Sequence, residues 1–274
     1  MKMQGITSKP TQAEKKRLKS LLSKKGRLRE KQFLAEGVRL LEESLRHEFR
    51  PVRIYFSATL IGGRGQQLLD RFQENKIPIQ ELTARDIRRI SGTESSQGLV
   101  GLFDIPERGP DDMRRGLYKK ILLLDRVSDP GNAGALLRSA LAFEFDLVFA
   151  TEDTVELYNP KVVRSSVGAV FGIPVITGAP DDIAEFKRHQ NCTIIVTDPR
   201  GGHIKAQLKK LKVKKSYILA IGSEAEGISS ELRSLADLSI RIGHSDRVES
   251  LNAAVAGSIL MKEIYDLTPR RKRQ

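Results

Sequence analysis

The sequence has 274 residues, 39% hydrophobic and 30% charged, the proportions of an ordinary globular protein that can fill one large core or two modest ones. No stretch approaches the roughly 18–20 continuous apolar residues of a membrane span, and residues 1–10 lack the apolar centre of a secretory signal. Charge is the unusual property: 47 Lys+Arg against 34 Asp+Glu give a formal +13, and residues 1–120 alone hold 26 basic and 15 acidic side chains.

The chain begins with its most basic part, 11 Lys/Arg and two Glu in residues 1–31. Such a surplus suits a polyphosphate partner, because each neutralised phosphate releases condensed counterions. A solvated basic tail is the plainer alternative. Lys24, Lys25, Arg27 and Arg29 are the candidate phosphate contacts in this stretch. A basic helix capped by Thr11 is expected over 11–25, then a second helix with Leu34, Val38, Leu41 and Leu45 at helical spacing. A strand over 52–57, a helix over 66–75, a strand over 77–80, a short helix over 84–90 and a strand over 99–104 complete an α/β unit taken as residues 1–105. Residues 106–117 are polar and turn-rich, with Pro106, Gly109, Pro110 and Gly116, and read as a linker.

Beyond it, in a second domain taken as 118–268, the pattern changes to short, nearly continuous apolar runs at 121–124, 147–150, 193–196, 217–221 and 239–242. Helices are expected between several of them, near 133–143, 183–189 and 229–235, and a last helix over 249–267 with Leu251, Val255 and Ile259 on its buried face. Continuous apolar strands alternating with helices indicate a mostly parallel sheet covered on both sides. Functional residues in such sheets gather beyond the carboxyl ends of the strands. Residues 269–274 form a basic tail. The single cysteine, Cys192, excludes an internal disulfide, fits a reducing compartment and opens an apolar run, so it reads as a core thiol. Four scattered histidines show no metal-ligand spacing, and no metal is expected.

Three loops carry polar residues where chemistry is expected. After the run at 121–124 comes Asp125-Arg126-Val127-Ser128-Asp129-Pro130-Gly131-Asn132-Ala133-Gly134, with Arg138 one helical turn further on. A strand–glycine–helix element invites a dinucleotide-binding reading, but Gly131 and Gly134 do not make G-x-G-x-x-G, and no P-loop occurs anywhere. After 217–221 comes Gly222-Ser223-Glu224-Ala225-Glu226-Gly227, two glycines bracketing a polar turn. Ser250 and Asn252 then open the otherwise apolar last helix; one can be its cap, and the other needs another partner.

Taken together, Asn132-x-Gly134-x-x-x-Arg138, Gly222-Ser223-Glu224-x-x-Gly227 and Ser250-Leu251-Asn252 resemble, in order, separation and strand context, the SpoU (TrmH) branch of the SPOUT methyltransferases. The segment from Tyr158 to Ala169, which contains Lys161 and Arg164, is similar to the family's intermediate segment. Phe33-Leu34-Ala35-Glu36-Gly37 and Ser96-Gln97-Gly98-Leu99-Val100 resemble its small substrate-binding domain. One departure stands out: the family usually has a glycine where this chain has Glu144, which alters a helix end rather than the chemistry.

The resemblance implies an α/β fold whose C-terminal, mostly parallel sheet carries a trefoil knot, a homodimer in the cytoplasm, and S-adenosylmethionine as cofactor. It implies methyl transfer to a ribose 2′-hydroxyl in RNA, ribosomal RNA more than tRNA because of the extra N-terminal domain. Leu219, Gly222, Ser223, Ile242 and Leu251 would then line the cofactor. Arg138 occupies the position of the family's catalytic arginine, either as general base or as stabiliser of the developing alkoxide. Asn132 would hold Arg138 or the ribose, Glu224 would orient Arg138 or a loop amide, Asn252 would fix the loops, and Ser250 would touch substrate. Lys161 and Arg164 would meet RNA phosphate. Two other classes compete: a non-catalytic RNA-binding or ribosome-assembly protein on the same scaffold, which predicts loss of a motif residue, and a nucleotide-cofactor oxidoreductase, which the glycine spacing opposes.

Overall fold

The computed structural model describes residues 10–93, 95–116, 118–209 and 216–267. The start of the basic extension, residues 1–9, and residues 268–274, which include the basic tail 269–274, lie outside them. Two compact units divide the chain, one made of Met1–Pro106 with Glu156–Gly172, the other of Glu107–Val155 with Ile173–Gln274.

The first unit opens with α1 (Gln12–Ser20) and α2 (Lys24–Glu30). The single helix expected over 11–25 is therefore broken. Thr11 caps α1, accepting the Glu14 N–H at 3.1 Å, and Ser23 caps α2 in the same way. A side-chain carbon at Gly26 would fall 1.9 Å from the Ser20 carbonyl oxygen, so only glycine allows this close turn. There follow β1 (Gln32–Glu36), α3 (Val38–Arg46), β2 (Arg53–Phe56), α4 (Gly63–Glu74), β3 (Ile79–Glu81), α5 (Ala84–Ser91) and β4 (Leu99–Asp104). Leu34, expected in a helix with Val38, lies instead in strand β1. Gly37 between them has φ 109, a left-handed value that ends any helical continuity. The sheet order is β1-β4-β2-β3, with β1 and β2 antiparallel to β4 and β3 parallel to β2.

Residues Glu156–Gly172 belong to this unit, and their aromatic side chains join its core. Phe33, Phe49, Phe103, Tyr158 and Phe171 form a cluster with ring centroids 4.8–6.3 Å apart. Beside it runs a buried ion pair. Arg27, 1% exposed, donates Nε to Glu156 Oε1 at 2.8 Å and Nη1 to the Leu21 carbonyl at 2.7 Å.

The second unit begins with α6 (Pro110–Arg115), in a stretch expected to be linker; its Met113 is fully buried in the core. Then come β5 (Lys120–Asp125), α7 (Pro130–Ala142), β6 (Leu147–Thr151), the excursion carrying α8 (Pro160–Ser165) and α9 (Ala169–Gly172), β7 (Val175–Gly178), α10 (Pro180–Gln190), β8 (Thr193–His203) and α11 (Ile204–Leu208). β9 (Tyr217–Gly222), α12 (Ser230–Ser234), β10 (Leu238–Arg241) and α13 (Ala253–Leu267) complete it. Its sheet has the order β10-β8-β9-β5-β6-β7, and every adjacent pair is parallel. Ile121, Leu123, Phe149, Ile194 and Ile218 meet Met113, Ile183 and Phe186 from α6 and α10 on one face. Cys192 sits in this cluster, and burial pushes its thiol up to about 11, as suits a packing residue. Helices α7 and α13 pack together, where a side chain at Gly257 would strike Leu136 at 2.4 Å.

The buried face of α13 differs from expectation. Ala253, Ala254, Gly257, Leu260, Met261 and Ile264 are buried, whereas Val255 and Ile259 are 48% and 37% exposed. Glu144 ends α7 with φ 58, the left-handed conformation that favours glycine. No helix among the described residues is long and apolar enough to cross a membrane.

Candidate active site

In the second sheet, β5 leads rightward to β6 and β7, while β9 returns to pair on its other side. The carboxyl ends of β5 and β9 therefore flank the point where the strand order reverses, the usual place for a ligand in an open parallel sheet. Both loops predicted to carry chemistry leave from there, one after Asp125 and one after Gly222.

Asp129 starts the first loop's helix by accepting the Asn132 N–H at 2.8 Å, with Pro130 at the first helical position, where a missing N–H costs nothing. This fixes Asn132, whose side-chain amide donates to Glu224 and accepts from Asn252 Nδ2 at 2.9 Å. Asn252 in turn accepts the N–H groups of Ala254 and Val255 at 2.9 and 3.2 Å, so it is the cap of α13 as well as a link to α7. Three segments separated by up to 120 residues are thus tied by one amide. Glu224, expected to orient Arg138 or an amide of the cofactor loop, accepts from the side-chain amide of Asn132.

The second loop is closed on itself. Ser223 and Gly227 exchange two backbone hydrogen bonds at 3.0 and 3.2 Å, and Ser223 Oγ accepts the Glu226 N–H. At Gly222 a side-chain carbon would lie 2.2 Å from the Gly227 backbone, and Gly227 itself has φ 68. Glycine is required at both ends for this turn to exist. Two residues not singled out from the sequence hold the turn to the sheet. Asp125, 1% exposed, accepts the Ser229 N–H at 2.6 Å. Arg126, at φ 58, donates to Glu226 at 2.6 Å, while its own N–H is held by Thr151 Oγ1. The available signal was an acidic residue at the carboxyl end of an otherwise apolar strand.

Arg138 lies on the exposed side of α7 and has no hydrogen-bond or ion-pair partner among the described residues. Ser250 is exposed; Ile242 and Leu251 are half-buried at either end of the connection from β10 to α13. Leu219 is fully buried within β9, so only its main chain could serve a ligand. Among the RNA candidates of the first unit, Lys24, Lys25, Arg29 and Lys161 are exposed and Arg164 half-buried. Arg27 is corrected: its guanidinium is sealed in the core against Glu156 and cannot reach a phosphate.

Residues 119–262 match the model of the SpoU rRNA Methylase family, and residues 13–101 match an MRM3-like substrate binding domain. A 23S rRNA (guanosine(2553)-2′-O)-methyltransferase, RlmP, of Bacillus subtilis is 29% identical over 89% of this chain and 92% of its own length. The solved structure of a Porphyromonas gingivalis protein assigned to the TrmH family of RNA methyltransferases is 29% identical, covers 95% of this chain and all of its own, and superposes with a TM-score of 0.80. An AdoMet-bound rRNA methyltransferase from Sinorhizobium meliloti shares the fold at a TM-score of 0.81, with 24% identity over 96% of this chain and 98% of its own. With more than half of its length matched by the family model, and the strand-end loops built as described, the chain belongs to the SpoU rRNA methylase family.

Proposed function

We propose that this protein transfers a methyl group from S-adenosylmethionine to a ribose 2′-hydroxyl of ribosomal RNA. The observation that carries the reading is the Glu224–Asn132–Asn252 network that ties the loops after β5 and β9 to the start of α13. The Bacillus relative bears the name of such an enzyme.

The residues present fit the cofactor. Gly222 leaves no room for a side chain, so the turn offers main-chain groups, and half-buried Ile242 and Leu251 add apolar surface of the kind an adenosine takes. Leu219 and Gly222 would hold it by main chain, Ser223 by its neighbouring turn, Ile242 and Leu251 by packing. When bound, S-adenosylmethionine supplies a methyl group on a sulfonium, a good leaving group. The protein's task is to align a poor nucleophile and to favour loss of its proton. A guanidinium presents a rigid fork of N–H donors and no acceptor. We therefore assign Arg138 the stabilisation of negative charge developing on the 2′-oxygen. Asn132, held from both sides, positions the loop that carries Glu224. Ser250 stands exposed on the substrate side of α13.

Lys24, Lys25, Arg29 and Lys161 make the phosphate contacts, and Arg164 of the same unit also meets the RNA; the second unit carries the methyl transfer. The exposed Val255 and Ile259 of α13 form the homodimer face. The trefoil knot, the cytoplasm as the place of action and a reaction without metal complete the reading. Calorimetric titration with S-adenosylmethionine tests it. Wild type and Arg138→Ala should bind, and Gly222→Ala, whose new side chain must displace the turn, should bind at least about tenfold more weakly. Absence of binding by wild type, with and without rRNA, would overturn it.

A further inference from the structure

The first unit contains a small pocket that none of the above uses. Glu36 at the end of β1 lines it, together with Leu34, Ile90 and Ser91 and with Pro160 and Arg164 from the excursion. Glu36 Oε2 accepts a hydrogen bond from Thr93 Oγ1 at 2.7 Å. Its other oxygen, Oε1, is buried and has no partner among the described residues. Arg164 also lines the pocket without an ion pair among them. A buried carboxylate oxygen left without a donor costs about 1–3 kcal/mol, so a small donor, water or a group of the substrate, belongs beside it.

We propose that this pocket reads an unpaired nucleobase of the RNA by its exocyclic amino group, and that the base is guanine. The inference rests on the RNA-methyltransferase reading and names a contact of that substrate. The enclosed space admits about one water-sized group, which suits an amino group entering while the ring remains at the rim. Guanine presents two adjacent N–H donors beside a carbonyl oxygen. Glu36 accepts from the donors, and the Arg164 guanidinium donates to the carbonyl. Uracil offers no amino group, and adenine and cytosine offer no carbonyl acceptor in the matching place beside an N–H pair. Sequence-specific RNA recognition takes this form, with splayed bases read on their edges. Lys24, Lys25 and Lys161, exposed in the same unit, supply the backbone attraction.

The test uses the full-length protein and fluorescent 12-nucleotide oligouridine RNAs carrying one central guanosine, inosine or uridine. Inosine lacks only the 2-amino group. Wild type should bind the guanosine RNA about tenfold more tightly than the inosine and uridine RNAs. Glu36→Gln should reduce that ratio to about one and leave the affinity for the uridine RNA unchanged. Equal binding of guanosine and inosine RNAs by wild type would overturn the proposal and leave the pocket as a water site. So would a ratio kept by a folded Glu36→Gln. The wild-type comparison needs no variant and stands if Glu36→Gln does not fold. Methyl transfer to rRNA, measured separately, tells failure of this contact from failure of the enzyme reading.

Discussion

Arginine is used in opposite ways in the two units. In the core of the first, Arg27 is 1% exposed and serves Glu156 and the Leu21 carbonyl. In the second, Arg138 lies exposed on α7 with no partner among the described residues, while Asn132 of the same helix is tied to Glu224 and Asn252. The difference teaches how to tell structural charge from chemical charge. A buried arginine is held in place by satisfying every donor, and removing it strands a carboxylate. An arginine meant to meet a charge that forms only during reaction must be left unsatisfied until substrate arrives.

Substitutions can break or sharpen that contrast. The largest effect on stability is expected for Arg27→Ala, which leaves Glu156 unpaired in a site that is 14% exposed. Loss of about 3–5 kcal/mol is expected in urea unfolding. A folded, fully stable Arg27→Ala with weakened RNA binding would reverse the assignment. Arg138→Ala should unfold like wild type and bind S-adenosylmethionine, yet lose about 10²–10³-fold in methyl-transfer rate. Asn132→Ala, which unties three segments, should lower the rate about tenfold through misplacement alone, read as a fall in kcat with little change in cofactor affinity. The smallest effect is expected at Glu144, where the left-handed backbone penalises any side chain. Glu144→Gly should raise stability by about 1 kcal/mol in the same unfolding assay, without altering the rate.

The strands of the second unit were legible because each is a continuous apolar run, the mark of a sheet covered on both faces. Asn132, Glu224 and Asn252, which the structure ties together, stood out in the sequence as polar residues bordering apolar runs. Other parts were hidden for physical reasons. Strand β1 was read as helix because Leu34, Val38, Leu41 and Leu45 keep helical spacing across Gly37, where the backbone turns left-handed. Strand β7 was missed: it has four residues and no room for a pattern. The buried face of α13 was misassigned because close packing on α7 selects alanine and glycine, which carry little hydrophobic signal, while Val255 and Ile259 point outward. Arg27 was misread because sequence shows a cation but not its partner, which lies 129 residues away.

The most direct test of the central claim is the position of the transferred methyl. The protein is incubated with rRNA and S-adenosylmethionine labelled in its methyl group, and the RNA is then hydrolysed with alkali. A 2′-O-methyl group removes the hydroxyl that attacks the neighbouring phosphate, so the account predicts label in alkali-resistant dinucleotides, made by wild type and not by Arg138→Ala. Label in mononucleotides would place the methyl on a base and contradict it, and so would label that Arg138→Ala transfers as fast as wild type.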